Sequence, residues 1–167
     1  MALRPAVCDD RVMRLAEALM TRADLQRRIE QMRSRIAENA RYQEGEEPQE
    51  DASALVEEAS DALDRLEELV VAINLTNATV TLADGAMTMT GALARRETLR
   101  ARHSLLSRSA DAAQGSGGGY RQMRSELRQF AALPVSDLRR QADDVAKELR
   151  ELDVEIQRTN WEAELQN

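Results

Sequence analysis

Two arginines and two asparagines stand at corresponding positions in this 167-residue chain. One constant offset relates Arg22 to Arg96, a second relates Asn77 to Asn160, and each residue lies on or at the end of a mainly apolar stripe. Guanidinium and amide groups can together bind a small anion or metabolite. Polar groups on a packed stripe can also fix register and oligomeric order, as in coiled coils. We favour this structural interpretation and keep the anion-binding cluster as the alternative.

Few other residues could support catalysis, metal binding or disulfide formation. The single Cys8 rules out an intramolecular disulfide and a cysteine-based zinc site, because each needs at least two thiols. The single histidine, His103, falls on a helical stripe, and we interpret it as a packed side chain rather than a ligand or base. The acidic residues between Glu44 and Asp51 lack the spacing of an EF-hand. The sequence therefore predicts no catalytic residue, cofactor or metal, and favours a protein that is not an enzyme.

The elements that carry these residues are long amphipathic helices. Apolar or small residues recur at steps of four and three from Leu55 onward, and the same pattern returns from Leu138. The stretch from Ala18 to Met32 is likewise repeated from Ala92 to Leu106. The order A, B, C, D, with A like C and B like D, predicts a mostly α protein. Its fold is an antiparallel four-helix bundle of two related helical hairpins.

Glycine, proline and threonine mark the predicted boundaries. We predict one helical domain over residues 1–167, with helices at about 10–43, 51–77, 90–113 and 136–165. Asp51 or Ser53 can cap helix B, and Thr90 can cap helix C. Threonines alternating with apolar residues around Asp84-Gly85 predict a small β-hairpin at about 79–89. Residues 114–134 are predicted to be a flexible loop, within which 126–133 is a candidate third strand.

Charge and hydropathy limit the classes of binding partner that we expect. The net charge of −7 argues against nucleic-acid binding, which needs a concentrated basic surface. The longest strongly apolar run, Leu69 to Ile73, is far shorter than the roughly 20 residues of a transmembrane helix. The first ten residues contain no apolar core of a secretory signal, so we expect a cytoplasmic protein. The apolar edges of such long helices exceed what one four-helix core covers, which predicts a homo-oligomer with no identified protein partner.

Several segments resemble a small, largely uncharacterised bacterial family whose members are sometimes labelled septicolysin-like. The resemblance extends from about Val12 to Trp161 and departs from the family at 115–119 and 120–130. It implies a compact helical protein that forms oligomers, with no established activity or catalytic residue. The segments that carry it are Leu15 to Leu19, Arg22 to Ile29, Gln43 to Pro48, Asn74 to Asn77, Asp84-Gly85, Ala92 to Arg96 and Thr159 to Trp161.

Three functions follow in order of preference. The first is a non-enzymatic, self-associating structural or interaction protein. The second is a binding protein or enzyme for a small anion or metabolite, with its site around Arg22 and Arg96. The third is a membrane-active, septicolysin-like protein, which the narrow apolar stripes and mixed polar faces do not favour.

Overall fold

The computed structural model describes residues 12–82, 85–115 and 130–166, and most of these residues are in four α-helices. Helix α1 covers Leu15–Asn39, α2 covers Ala52–Thr79, α3 covers Met89–Ala113 and α4 covers Val135–Glu162. The prediction of a mostly helical protein with four long helices is confirmed. The largest difference in bounds is at the start of α1, which was predicted near Asp10.

The chain divides into two compact units. The first contains the residues up to Val80 together with those from Thr159 onward, so it holds α1, α2 and the end of α4. The second contains Thr81–Arg158, which holds α3 and most of α4. Each unit therefore contains one antiparallel helix pair.

In the first unit, α1 and α2 pack along an apolar seam. Leu25, Ile36 and Leu66, which are partly buried, pack against a fully buried cluster. Exposed ion pairs from Arg28 to Glu58 and from Arg35 to Glu50 run beside the seam in the order expected for antiparallel helices. The seam has the four-and-three spacing of the sequence, because only that spacing keeps one side of a helix against its neighbour. The buried cluster comprises Ile29, Met32, Ala59 and Ala62.

In the second unit, α3 and α4 are joined by two ion pairs. Arg95 contacts Glu148, and Arg139 contacts Asp111 at 2.6 Å. Their order along the two helices is again antiparallel. The apolar residues buried in this unit include Ala92, Leu99, Ala110, Ala142, Val145, Leu152 and Ile156.

The turn between α1 and α2 is closed by side chains. Asn39 donates its amide to the backbone carbonyl of Arg35 at 2.9 Å and accepts the backbone N–H of Glu50 at 3.0 Å. Arg35 also binds the Glu50 carboxylate with two N–H groups, and the Nε bond is 2.8 Å long. Asp51, one of the two predicted caps, accepts two backbone N–H groups in the first turn of α2. The end of α1 and the start of α2 are thus tied together.

The predicted β-hairpin at 79–89 is wrong for the residues that the structure describes. Thr81 and Thr88 form one isolated antiparallel bridge, and no strand is present in the described ranges. Gly85 adopts a positive φ of 68° and donates its N–H to the carbonyl of Leu82 at 2.8 Å. The pairing stops after one bridge because α3 begins at Met89. Ala83 and Asp84 lie outside the described residues.

The cap of the third helix also differs from the prediction. Thr88, not Thr90, precedes α3 in extended backbone, and its hydroxyl accepts the N–H of Gly91 at 3.2 Å. Thr90 is already inside the helix. Of the candidate third strand at 126–133, residues 126–129 lie outside the described part, and Phe130 to Leu133 form neither strand nor helix.

The helices of the two hairpins have matching bounds. Helices α1 and α3 are each 25 residues long, whereas α2 and α4 are each 28 residues long. The offset between the starts of α1 and α3 equals that between Arg22 and Arg96. The offset between the starts of α2 and α4 equals that between Asn77 and Asn160. The correspondence found in the sequence therefore extends over the full length of each helix.

The two isolated β-bridges occupy corresponding positions relative to the helices. Arg14 pairs with Glu164, and Thr88 pairs with Thr81. In both cases the residue directly before a helix pairs with the second residue after another helix. The two hairpins therefore begin and end alike as well as having helices of equal length.

Candidate functional site

Arg22 lies on α1 in the first unit, and its charged group is unusually placed. The Nε atom is fully buried and has no hydrogen-bond partner within the described ranges, although the residue as a whole is only half-buried. A buried N–H without an acceptor costs about 1–3 kcal/mol. An anion that reached this atom would therefore gain a donor that is already free of water.

Arg96 lies on α3 in the second unit and shows the same feature. Its Nε atom is also fully buried without a hydrogen-bond partner in the described part of the chain. The carboxylate of the adjacent Glu97 is 3.5 Å away and forms an ion pair but no hydrogen bond with this N–H group. Two arginines at repeat-related positions thus have the same unsatisfied donor, and this similarity was not apparent from the sequence.

The two asparagines of the predicted cluster are located near the ends of α2 and α4. Asn160 is buried, whereas Asn77 is half-buried, and both belong to the first unit with Arg22. Arg96 belongs to the second unit. The grouping of these four residues into one anion site remains a prediction.

A buried threonine next to Asn77 has a structural role that sequence reasoning did not assign. Thr76 is completely buried; its hydroxyl donates to the carbonyl of Ala72 at 2.8 Å and accepts the backbone N–H of Gln166 at 2.9 Å. Gln166, which follows α4, is therefore attached to α2. The repeated Thr-Asn pair in the sequence is the signal that pointed to this position.

The same terminal segment is attached to the start of α1. The backbone N–H of Leu15 donates to Ala163 at 3.0 Å, and that of Leu165 donates to Met13 at 2.8 Å. Arg14 extends its guanidinium to the carbonyl of Glu162 at 2.8 Å, at the end of α4. A cation at this position is favoured because the C-terminal end of a helix carries partial negative charge.

The outward side of α2 contains an open groove between charged and apolar side chains. Val71 and Leu75 are each about half exposed there, at 52% and 48%. Carboxylates border the apolar side chains, so the groove can accept a surface that is both apolar and cationic. Its lining residues are Asp64, Glu67, Glu68, Val71, Ala72 and Leu75.

Two carboxylates of the acidic turn make structural contacts. Glu50 and Asp51 are used by the turn itself, as an ion-pair partner and as a helix cap. The hydrogen bond from Arg35 lowers the pKa of the Glu50 carboxyl, outweighing the opposite effect of desolvation. His103 is half-buried on α3. The described residues contain no group of three or more side chains suited to hold a metal ion.

Over residues 12–82, 85–115 and 130–166, none of the helices combines the length and the apolar character needed to cross a bilayer.

Comparison with known proteins relates the chain to proteins of unknown function. The model of a family of unknown function, DUF6847, matches residues 22–165. A crystal structure of a functionally unknown conserved protein from Corynebacterium diphtheriae is 37% identical in sequence and has a TM-score of 0.83. The match covers 93% of this chain and all of the other chain. None of the curated proteins matches. The expectation of an uncharacterised family is confirmed, while the septicolysin-like label has no support from these matches.

Proposed function

The chain belongs to the DUF6847 family, and from that premise we propose that it is a non-enzymatic, self-associating structural or interaction protein of the cytoplasm. One observation carries the proposal. Helix α2 buries one side in its own unit and leaves a second row of large apolar side chains about half exposed: Val56, Leu63, Val71 and Leu75. Single exposed apolar residues are common, but a row on one side of a helix is typical of an association surface.

Association would remove this row of side chains from water. Each Å² of apolar surface that is buried contributes about 25 cal/mol, so a second packed helix would stabilise an assembly. The separation of these residues by seven, eight and four positions keeps them on one broad side of α2.

Light scattering of the full chain tests the proposal across a micromolar concentration series. We expect a mass above that of the 18.7 kDa monomer, increasing with concentration. A mass that stays at 18.7 kDa throughout the series would overturn self-association. Dye release from liposomes, measured on the same samples, would point instead to the membrane-active alternative.

The proposal includes a structural relation between the hairpin of α1 and α2 and the hairpin of α3 and α4. It is supported by the equal lengths of α1 and α3 and of α2 and α4, and by their constant offsets. Equivalent positions are also buried alike, as Ile73 and Ile156 show at 2% exposure each. We infer that one helical hairpin was duplicated, so that the chain contains two hairpins that bury equivalent positions.

The buried Nε atoms of Arg22 and Arg96 favour anion binding as a second candidate function. Titration with inorganic phosphate, followed by calorimetry, tests it. If either arginine holds the anion, Arg22→Leu or Arg96→Leu abolishes the heat of binding while the helical circular dichroism is kept. In the structural interpretation, phosphate binds neither the wild type nor the variants, and the substitutions change only assembly or the free energy of unfolding.

A further inference from the structure

The groove on α2 is an acidic surface with an apolar centre. We call the acidic face the outward side of α2 formed by Asp64, Glu67, Val71 and Leu75, all of which are exposed. Neither Asp64 nor Glu67 makes an ion pair with another residue that the structure describes. These carboxylates therefore remain available to a partner.

Helix α4 carries cations at the positions that correspond to Asp64 and Glu67, and the exposed acid Glu151 lies beside them. We call the basic face the outward side of α4 formed by Lys147, Arg150, Val154 and Arg158, all of which are exposed. Val154 is 59% exposed and corresponds to Val71 under the offset that relates α2 to α4. The same offset relates Lys147 to Asp64 and Arg150 to Glu67. The two equivalent faces thus share an exposed valine and carry opposite charges at these two pairs of positions, whereas Glu68 and its counterpart Glu151 are both acidic.

We propose that the acidic face on α2 of one molecule binds the basic face on α4 of a second copy of this chain. The inference rests on the proposed self-association and specifies which surfaces meet. Every copy carries both faces, so any two copies have complementary surfaces to offer. Complementary charges select the partner and its register, while the exposed valines and Leu75 supply apolar area at the centre.

The existing contacts of the basic face do not compete strongly with such a partner. Lys147 lies 3.9 Å from Glu151 in a largely exposed pair, and Arg158 lies 3.3 Å from Glu155 in a partly exposed pair, both within α4. Exposed pairs of this kind contribute about 0–1 kcal/mol. Arg150 makes no ion pair among the described residues. An incoming carboxylate can therefore replace these contacts at little cost.

The experiment exchanges the charges of one face at a time and measures association by light scattering. The first variant, Asp64→Lys with Glu67→Arg, makes both faces basic, and the second, Lys147→Asp with Arg150→Glu, makes both faces acidic. We expect each variant alone to raise the dissociation constant at least about tenfold, because like charges then meet. A mixture of the two should recover association close to that of the wild type, since each basic face then finds an acidic one.

A charge-matched control uses exposed acids away from both faces. Glu38→Arg with Glu44→Lys changes the net charge as much as the first variant does, and it should leave the dissociation constant within about twofold of the wild type. Circular dichroism verifies folding. If the first double variant fails to fold, the single substitution Glu67→Arg replaces it in the mixture.

The outcomes separate this inference from the proposed function. A wild type that remains monomeric overturns both. A wild type that associates, with variants that associate equally well, overturns the pairing of these faces but leaves self-association standing. Loss of association on changing α2 but not α4 also overturns the pairing and directs attention to another surface, such as the one around Leu105 and Arg108 on α3.

Discussion

Helices α2 and α4 have the same length and bury corresponding positions, yet their outward sides carry different charges. Ile73 and Ile156 are equally buried, and Thr76 and Thr159 follow them as buried polar residues. On the outward side, the carboxylates of Asp64 and Glu67 on α2 correspond to cationic side chains on α4. Packing constrains the buried positions because a cavity or an unpaired group there is costly, whereas a change of exposed charge alters the free energy of unfolding little.

Helices α1 and α3 differ in how the backbone N–H groups at their first turns are capped. In α3 the Thr88 hydroxyl accepts the N–H of Gly91, and in α1 the Glu17 carboxylate accepts the N–H of Arg14 at 2.8 Å. These are the two reciprocal halves of a capping box, and each helix uses one half. Arginine has no acceptor atom, and glycine has no side chain, so neither helix can form both halves.

The largest effect should come from the buried isoleucines. Ile73→Ala and Ile156→Ala should each lower the free energy of unfolding by about 2–5 kcal/mol, because each leaves a cavity at an equally buried position. Urea denaturation followed by circular dichroism measures both. Val56→Ala on the exposed side of α2 is the control and should change stability much less. Strongly unequal losses would break the equivalence of the two helices.

A substitution of Thr76 tests whether its hydrogen bond with the backbone N–H of Gln166 stabilises the protein. Thr76→Val removes the acceptor for the Gln166 N–H and should cost about 1–3 kcal/mol of stability. Thr98→Val is the matched control, since the exposed Thr98 hydroxyl bonds only to the carbonyl of Ala94 within its own helix. Thermal melting compares the two variants. Equal changes would show that the contact with Gln166 contributes nothing.

Completing the capping box of α3 should stabilise the protein. Gly91→Ala should add about 1 kcal/mol, because alanine favours a helix and its methyl group would meet only ordinary contacts, the nearest at 3.6 Å. Gly91→Glu should add roughly a further 0.5 kcal/mol if the new carboxylate reaches the N–H of Thr88. Chemical denaturation separates the two gains. A glutamate variant no more stable than the alanine variant would argue against the missing half of the box.

The smallest effect concerns the turn between α1 and α2. The pKa of Glu50 is lowered by the hydrogen bond from Arg35, so the folded state favours the ionised carboxylate. The resulting stability is present above the ordinary pKa of a glutamate and is lost as the pH falls through the lowered one. Melting temperatures across the acid range should therefore decline slightly more for the wild type than for Glu50→Gln. Identical slopes would show that the ion pair does not contribute.

Much of the helical architecture could be predicted from local signals. The spacing of apolar residues predicted the four helices, and Asp51, one of two predicted caps of the second helix, does cap α2. The β-hairpin failed because alternating threonines and Asp84-Gly85 are also compatible with a short turn leading directly into a helix. Thr88 serves as the cap of α3, which ends the pairing after one bridge.

For the candidate site, the sequence identified the positions but not their surroundings. The repeat singled out Arg22 and Arg96, since equivalent polar residues on apolar stripes are conspicuous. Whether an Nε atom has an acceptor depends on neighbours distant in the chain, which no local pattern specifies. The role of Thr76 was missed for the same reason, because its partner Gln166 is 90 residues away.

The sequence alone determined the number and periodicity of the helices and the correspondence between the two hairpins, because these depend on spacing within one segment. Only the tertiary structure decided that the chain end is held by Leu15 and Thr76, and which side of α2 remains open. Those features arise from contacts between distant residues, whose free energies depend on three-dimensional packing rather than on the order of neighbouring side chains.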